Sequence, residues 1–300
     1  YQFPCYKISN FFIERIIMPK KKRGSKPKPK QDLNDDGYPK VSLLTPIYNR
    51  NKWLPLMLAN VTHFNYDKNK LEWFILDSKD GDEDVKLFNN EEEIELVRKL
   101  IAPIKLKYVY INRKMTIAEK RTYLTKNMSH PWFANVDSDD MYLDEYLKTS
   151  IDLCRENKVS LCGSPQMIFC WVHRNYEISA IECSAKRQAH EATMVGTMKR
   201  VRSMNYYSKN DEKGEGSALI DGAENDFAKS ECKNCMVCIC HNRNTCNKDT
   251  FIGANVQDFQ ATGTKIEILK EIMKEEVEQE GAKNMSKFTI NNGNNNISDK

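Results

Sequence analysis

No stretch of this 300-residue chain reaches the roughly 18 uncharged apolar residues that a helix needs to cross a bilayer. The apolar run Phe11 to Met18 is short and carries Glu14 and Arg15, so neither a signal peptide nor a membrane anchor is expected. Residue 1 is Tyr, and Met18 opens directly into a basic block, which makes Met18 a candidate start. Without a secretory signal, the ten cysteines are expected as reduced thiols of a cytoplasmic protein, with no disulfides. No internal repeat is visible, so one unrepeated core is expected. Charge of one sign is also lacking: the net +4 hides a basic block, Pro19 to Lys30, and an acidic run, Asp80 to Glu95. Blocks of this kind are usually solvated, and nucleic acid is not an expected partner.

What is present suffices for a sizeable core. Four Trp, thirteen Tyr and twelve Phe supply large apolar side chains, and the length fits one large α/β domain with frayed ends. Residues 1–38 are polar, Lys-rich and punctuated by Pro, which predicts a disordered basic tail. The folded domain is expected over 39–280, and the Asn-rich residues 281–300 as a second disordered tail.

The pattern after Lys40 alternates strand and helix. Val41 to Leu44, bounded by Pro39 and Pro46, reads as a buried parallel strand. Asn49 to Thr62 reads as a helix with Asn49 as N-cap. Further strands are expected at Leu71 to Leu76, Leu106 to Ile111 and Trp132 to Val136, with helices over Glu91 to Leu100 and Leu143 to Cys154. Thr116 and Glu119 form the T-x-x-E capping box of a helix running to about Met128. This βαβα order predicts a doubly wound, mainly parallel sheet with helices on both faces. Beyond residue 160 the pattern loosens into short strands, Leu161 to Gly163 and Gln166 to Val172, and an ambiguous stretch to Ser203. A polar helix over Lys265 to Gln279 closes the domain.

The most specific feature is Asp137-Ser138-Asp139-Asp140, directly after a strand. Three carboxylates in four residues repel one another unless a cation neutralises them, and a divalent ion with oxygen ligands does so. As alternatives, Asp140 caps the next helix, or the whole run is an N-capping acidic turn.

Four segments in order, V-S-L-L-T-P-I-Y-N-R, W-F-I-L-D-S-K-D-G, I-A-E-K-R and F-A-N-V-D-S-D-D, resemble family 2 glycosyltransferases of the GT-A fold. The Lys-, Asn- and Ile-rich composition is similar to members found in large DNA viruses or protists. The resemblance implies a nucleotide-sugar-binding half over 39–155, an acceptor half over 156–262 and a C-terminal helix over 263–280. It implies transfer of a sugar from a nucleotide-sugar donor to a hydroxyl of a glycan, protein or lipid, inverting and dependent on Mn2+ or Mg2+.

The same resemblance assigns candidate roles. Pro46, Tyr48 and Arg50 would line the nucleotide pocket, Asp77 would bind the base, and Arg121 would face ribose and diphosphate. For Arg121 the alternative is a surface charge pairing with Glu119 or Asp139. Asp137 and Asp139, alternate residues of an extended segment, would both face the donor, with Asp139 on the metal and Asp137 reaching ribose, water or metal. His241, followed by Asn244 and Thr245, is similar to a stretch that supplies a further metal ligand. For the catalytic base Glu215 is the first candidate, because K-G-E-G resembles the family's G-E-D turn with Gly216 in place of Asp. Asp221, Glu224 and Glu191 are its rivals. Asp80 to Asp84 departs from the family loop and is equally a solvated acidic segment.

Two other readings compete. A nucleotidylyltransferase needs a Gly-rich basic phosphate loop near the first strand, and none is present. Cys232, Cys235, Cys238, Cys240 and Cys246 offer ligands for a zinc-dependent interaction module, but the spacing fits neither a zinc ribbon nor an iron-sulfur site. Core cysteines are the expectation, Cys238 and Cys240 sharing one buried face of a strand. A catalytically inactive nucleotide-binding relative stays open.

Overall fold

The structure is a computed structural model that describes residues 36–79, 85–182, 189–203, 216–242, 244 and 263–293. Seven strands form the large sheet in the order β10-β6-β9-β4-β1-β2-β3. They are β1 (Val41–Ile47), β2 (Leu71–Ser78), β3 (Lys105–Ile111), β4 (Trp132–Asn135), β6 (Leu161–Gly163), β9 (Val195–Thr197) and β10 (Phe227–Lys229). β4, β1, β2 and β3 run parallel, as does β10 beside β6, while β9 is antiparallel to β4 and β6. A second sheet, β5-β11-β7-β8, joins β5 (Met141–Tyr142), β7 (Gln166–Trp171), β8 (Glu177–Glu182) and β11 (Met236–Cys240).

Alternation along the central strands sends side chains to two separate cores. Val41, Leu43, Ile47, Leu71, Trp73 and Ile75 enter one cluster, and Leu44, Phe74 and Leu76 enter the other. Helices α1 (Leu54–His63), α2 (Glu91–Ile101) and α4 (Tyr146–Glu156) cover the first face. α3 (Ile117–Asn127) and α5 (Met198–Ser203) cover the second. The expected doubly wound α/β architecture is therefore present.

Local chemistry explains most element ends. Asn90 caps α2 by accepting from the Glu93 amide, and three glutamates in its first turn complement the helix dipole. Thr116 and Glu119 cap α3 reciprocally, as the capping box predicts. β1 runs on through Pro46, beyond the expected end at Leu44, because β4 has already stopped opposite Leu44 and no longer calls for a donor there. Asn49 is not an N-cap. It adopts φ +50° in a turn, and the helix starts as a 3-10 turn at Asn51–Trp53 before α1. α4 begins at Tyr146 rather than Leu143, since Met141 and Tyr142 pair with β11 and the Leu143 amide donates to the Cys235 carbonyl. The last helix, α6 (Thr264–Gly293), extends past Gln279. Ile266, Ile268, Leu269 and Met273 bury its inner side, and Lys265 Nζ donates to the Tyr142 carbonyl and to Asp144.

Asn60, fully buried on α1, ties that helix to the loop after β4. Its Nδ2 donates to the Asp140 carbonyl at 2.8 Å and its Oδ1 accepts from the Tyr142 amide at 3.0 Å. Asn60→Ala strands two buried backbone groups and is expected to cost about 2–4 kcal/mol. Urea unfolding should show a lower midpoint with an unchanged slope.

Candidate active site

The strand order 3-2-1-4 reverses between β1 and β4, and open α/β sheets bind ligands at the carboxyl ends of the strands flanking such a switch point. β1 delivers Ile47, Tyr48 and Arg50 to this edge, and β4 delivers Asn135 and the Asp137–Asp140 run. The run is held by its backbone. The Val136 amide donates to the Leu44 carbonyl, and the Asp137 amide donates to the Tyr142 hydroxyl at 2.8 Å. That hydroxyl, buried among apolar groups and pushed well above its usual pKa by desolvation, donates onward to the Ala192 carbonyl. The Asp140 carboxylate accepts from the Ile239 amide at 3.0 Å, which fastens β11 to the run. Asp140 therefore anchors a strand and does not cap α4.

With the loop fixed in this way, its other two carboxylates meet cations. Arg121 Nη2 lies 3.0 Å from Asp137 Oδ2, on a side chain only 4% exposed. Arg50 Nε lies 3.0 Å from Asp139 Oδ2. The same oxygen sits 3.2 Å from Nε2 of His241, the residue that follows β11. His241 packs its ring against Trp53, with centroids 4.7 Å apart. Its amide donates to Asn244 Oδ1, and Asn244 Nδ2 donates to the Ile239 carbonyl. Burial lowers the His241 pKa, opposed by the hydrogen bond and charge of Asp139. A neutral imidazole, the form favoured by burial, keeps a lone pair for a metal.

The remaining expected residues fall as follows. Pro46 is buried within β1, while Tyr48 is 40% exposed beside the edge, with the Lys120 ammonium 5.4 Å from its ring centre. Asp77 is the penultimate residue of β2, which runs to Ser78, beyond the expected end at Leu76, and it is 1% exposed. Its Oδ2 accepts from the Leu87 amide and the Tyr108 hydroxyl, both at 2.8 Å, and desolvation raises its pKa. Asp77 thus secures the chain on its return from the acidic segment, whose residues 80–84 lie outside the described residues. Glu119 pairs with Arg113, which leaves Arg121 to Asp137.

Among the base candidates, Glu215 lies outside the described residues, as do Cys246 and Thr245. Asp221 is exposed in a turn that Arg200 fastens through the Leu219 and Ala223 carbonyls, and Glu224 opens the short 3-10 turn after it. Glu191 is closer to the acidic run: its carbonyl accepts from Asn135 Nδ2 at 2.6 Å, and its Oε1 accepts from the Gly216 amide at 3.1 Å.

Cys232, Cys235, Cys238 and Cys240 are buried in the first hydrophobic cluster, and burial raises the Cys232 and Cys235 thiols to about 11 and about 12. His241 Nε2 lies beside Asp139 Oδ2. Among the described residues no group of three or more His, Cys, Asp or Glu gathers as a metal site, and no helix is long and apolar enough to cross a membrane.

Sequence reasoning missed three residues that shape this edge. Lys120 donates from Nζ to the Ile47 carbonyl at 2.6 Å and sits next to Arg121 in the same I-A-E-K-R segment. Asn60 and Tyr142 carry no local signal, since each acts across about 80 or 50 residues through hydrogen bonds to backbone.

The model of glycosyl transferase family 2 matches residues 42–215, more than half of the chain. No curated protein matches it. Among solved structures, the mannosyltransferase PcManGT from Pyrobaculum calidifontis, in complex with GDP-Man and Mn2+, is similar with a TM-score of 0.53 at 14% identity, covering 73% of this chain and 62% of that one. S. aureus TarS is similar at 0.49 and 13% identity, covering 67% and 37%. TarS 1-349 in complex with UDP-GlcNAc reaches 0.47 at 15% identity, covering 79% and 66%. The chain thus spans between 37% and 66% of the length of these three, and at such identities the likeness is one of fold. The GT-A-like sheet and the family match over residues 42–215 together establish that this chain belongs to glycosyl transferase family 2.

Proposed function

We propose that this chain transfers a sugar from a nucleotide-sugar donor to an acceptor hydroxyl, with inversion and with a divalent metal ion at Asp139 and His241. One observation carries the reading: Asp139, within the stretch that the family model matches, and His241, 102 residues away in sequence and beyond that stretch, meet at the carboxyl edge of the large sheet. The donor set fits such an ion. A carboxylate oxygen and an imidazole nitrogen lie within 3.2 Å, and the buried imidazole is held toward its neutral form. Oxygen donors suit Mg2+ and Mn2+ alike, while imidazole favours the softer Mn2+. PcManGT, a neighbour of similar fold, is in complex with GDP-Man and Mn2+. Likeness in composition to viral or protist members finds no support among the comparisons.

When bound, the ion supplies positive charge to the diphosphate leaving group. The chain's own residues divide the remaining work. Arg50 and Arg121 neutralise Asp139 and Asp137 and present N–H donors toward a phosphate. Tyr48 offers an exposed ring for stacking on the base. Pro46 and Asp77 frame the base pocket, Asp77 by fixing the return of the chain at Leu87. The hydroxyl of the acceptor must lose a proton, and Glu215, Glu191 and Asp221 are the carboxylates proposed for it. The acceptor, a glycan, protein or lipid, would approach from the half over residues 156–262.

A thermal-shift panel of nucleoside diphosphates and nucleotide sugars tests the reading. One nucleotide is expected to stabilise the full chain only with Mn2+, by about 2.7 kcal/mol at a hundredfold excess over its dissociation constant. Asp139→Ala should abolish the shift, and no shift with any nucleotide would overturn the proposal. Arg121→Ala, which leaves Asp137 facing its neighbours without a guanidinium, should weaken nucleotide binding by about tenfold, or 1.4 kcal/mol, in calorimetric titration.

A further inference from the structure

The 3-10 turn Asn51–Trp53 lies between β1 and α1, and three parts of the chain meet around it. Arg50, just before the turn, pairs with Asp139 at 3.0 Å. Trp53, 1% exposed, packs its ring against His241 with centroids 4.7 Å apart. Lys52, between them, reaches α6: its Nζ donates to Glu276 Oε1 and lies 3.8 Å from Met273 Sδ. The same ammonium sits 5.2 Å from the centre of the Trp53 ring. One short turn therefore joins the acidic run, the imidazole and the last helix.

α6 is itself firmly seated and can hold that turn. Ile266, Ile268, Leu269 and Met273 bury its inner side in the first hydrophobic cluster. Lys265 fastens its first turn to the Tyr142 carbonyl and to Asp144. Met273 and Glu276, at i and i+3, share one face, and Lys52 meets both. The ion pair is sheltered, with side chains 18% and 22% exposed, so salt and water screen it less than a surface bridge. Glu276 Oε2 is buried without a hydrogen-bond partner among the described residues, so the bond to Lys52 is the one through which this carboxylate acts. Glu267 differs: it pairs with Lys270 of its own helix, and both are half-exposed. α6 and His241 alike lie beyond residues 42–215, the stretch that the family model matches.

We infer that Glu276 is a positioning residue: by pairing with Lys52 it holds the Asn51–Trp53 turn, and with it the Trp53 ring, against the His241 imidazole. Its consequence at a metal ion rests on the proposed function, while the contact stands without it. Loss of the pair releases Lys52 from α6 and lets Trp53 draw back, so that His241 no longer meets an ion in one orientation. Groups that orient a metal-binding imidazole from behind change metal affinity by about tenfold or more.

The experiment uses the full chain as wild type, Glu276→Ala, Glu276→Gln, Lys52→Met and, as a control on the same helix, Glu267→Ala. Proton NMR of the protein without metal follows the His241 ring protons, recorded well above the imidazole pKa so that every ring is neutral. Only five histidines are present, and loss of one resonance in His241→Ala assigns it. Packing on Trp53 displaces that resonance from the position of a solvated histidine. Glu276→Ala and Lys52→Met should both move it back toward that position. Glu276→Gln, which keeps an acceptor for Lys52, should move it less, and Glu267→Ala not at all. Water-proton relaxation with Mn2+ alone should then show a dissociation constant raised about tenfold in Glu276→Ala and Lys52→Met, and unchanged in Glu267→Ala. Those two variants change net charge in opposite directions, so a loss of affinity in both reports position and not field. A His241 resonance unmoved in both would overturn the inference, as would a moved resonance with wild-type Mn2+ affinity. A wild type that takes no Mn2+ would sink the metal reading alone, since the resonance still judges the contact.

Discussion

The hydrogen bond from the Ile239 amide to the Asp140 carboxylate is the joint on which the site depends. It connects the large sheet, which ends at the acidic run, to the second sheet, in which β11 lies between β5 and β7. His241 follows β11 by one residue, so holding Ile239 holds the imidazole beside Asp139. Trp53, from the 3-10 turn after β1, closes the other side of that ring. A charge-assisted bond of this kind is worth more than a neutral one. Asp140 thus serves the architecture, while Asp137 and Asp139 face Arg121 and Arg50.

Charge balance follows from this division. The Asp137 and Asp139 carboxylates, two residues apart in one run, repel one another unless cations offset their charge. Each is met by one guanidinium, Arg121 at Asp137 and Arg50 at Asp139, both at 3.0 Å. The two arginines come from different elements, α3 and the segment after β1, so the balance also ties those elements to β4. The run therefore sets two acidic side chains against two guanidinium groups at the carboxyl edge of the sheet.

Much of this was legible in the sequence because the controlling signals are local. The apolar runs at Val41 and Leu71, the Thr116–Glu119 capping box and the D-S-D-D run all act within a few residues. His241 was legible only through family likeness, since its partner Asp139 is distant in the chain. The burial of Asp77 was not visible, because it depends on Tyr108 from the adjacent strand and Leu87 from the returning loop. Nor was the end of β1: Pro46 marks a strand boundary by rule, and only the early stop of β4 lets the strand continue. The helix at Asn49 began late for a similar reason, its turn taken into a left-handed residue. Long-range hydrogen bonds to backbone, as from Asn60 to the Asp140 carbonyl and from Tyr142 to the Ala192 carbonyl, leave no sequence pattern at all.

The central claim is that Asp139 and His241 hold one metal ion. Electron spin echo modulation of Mn2+ bound together with the nucleoside diphosphate reads the ligand atoms directly. The account predicts nitrogen modulation from one imidazole in wild type and its loss in His241→Ala. Bound Mn2+ with no imidazole nitrogen in wild type would contradict it.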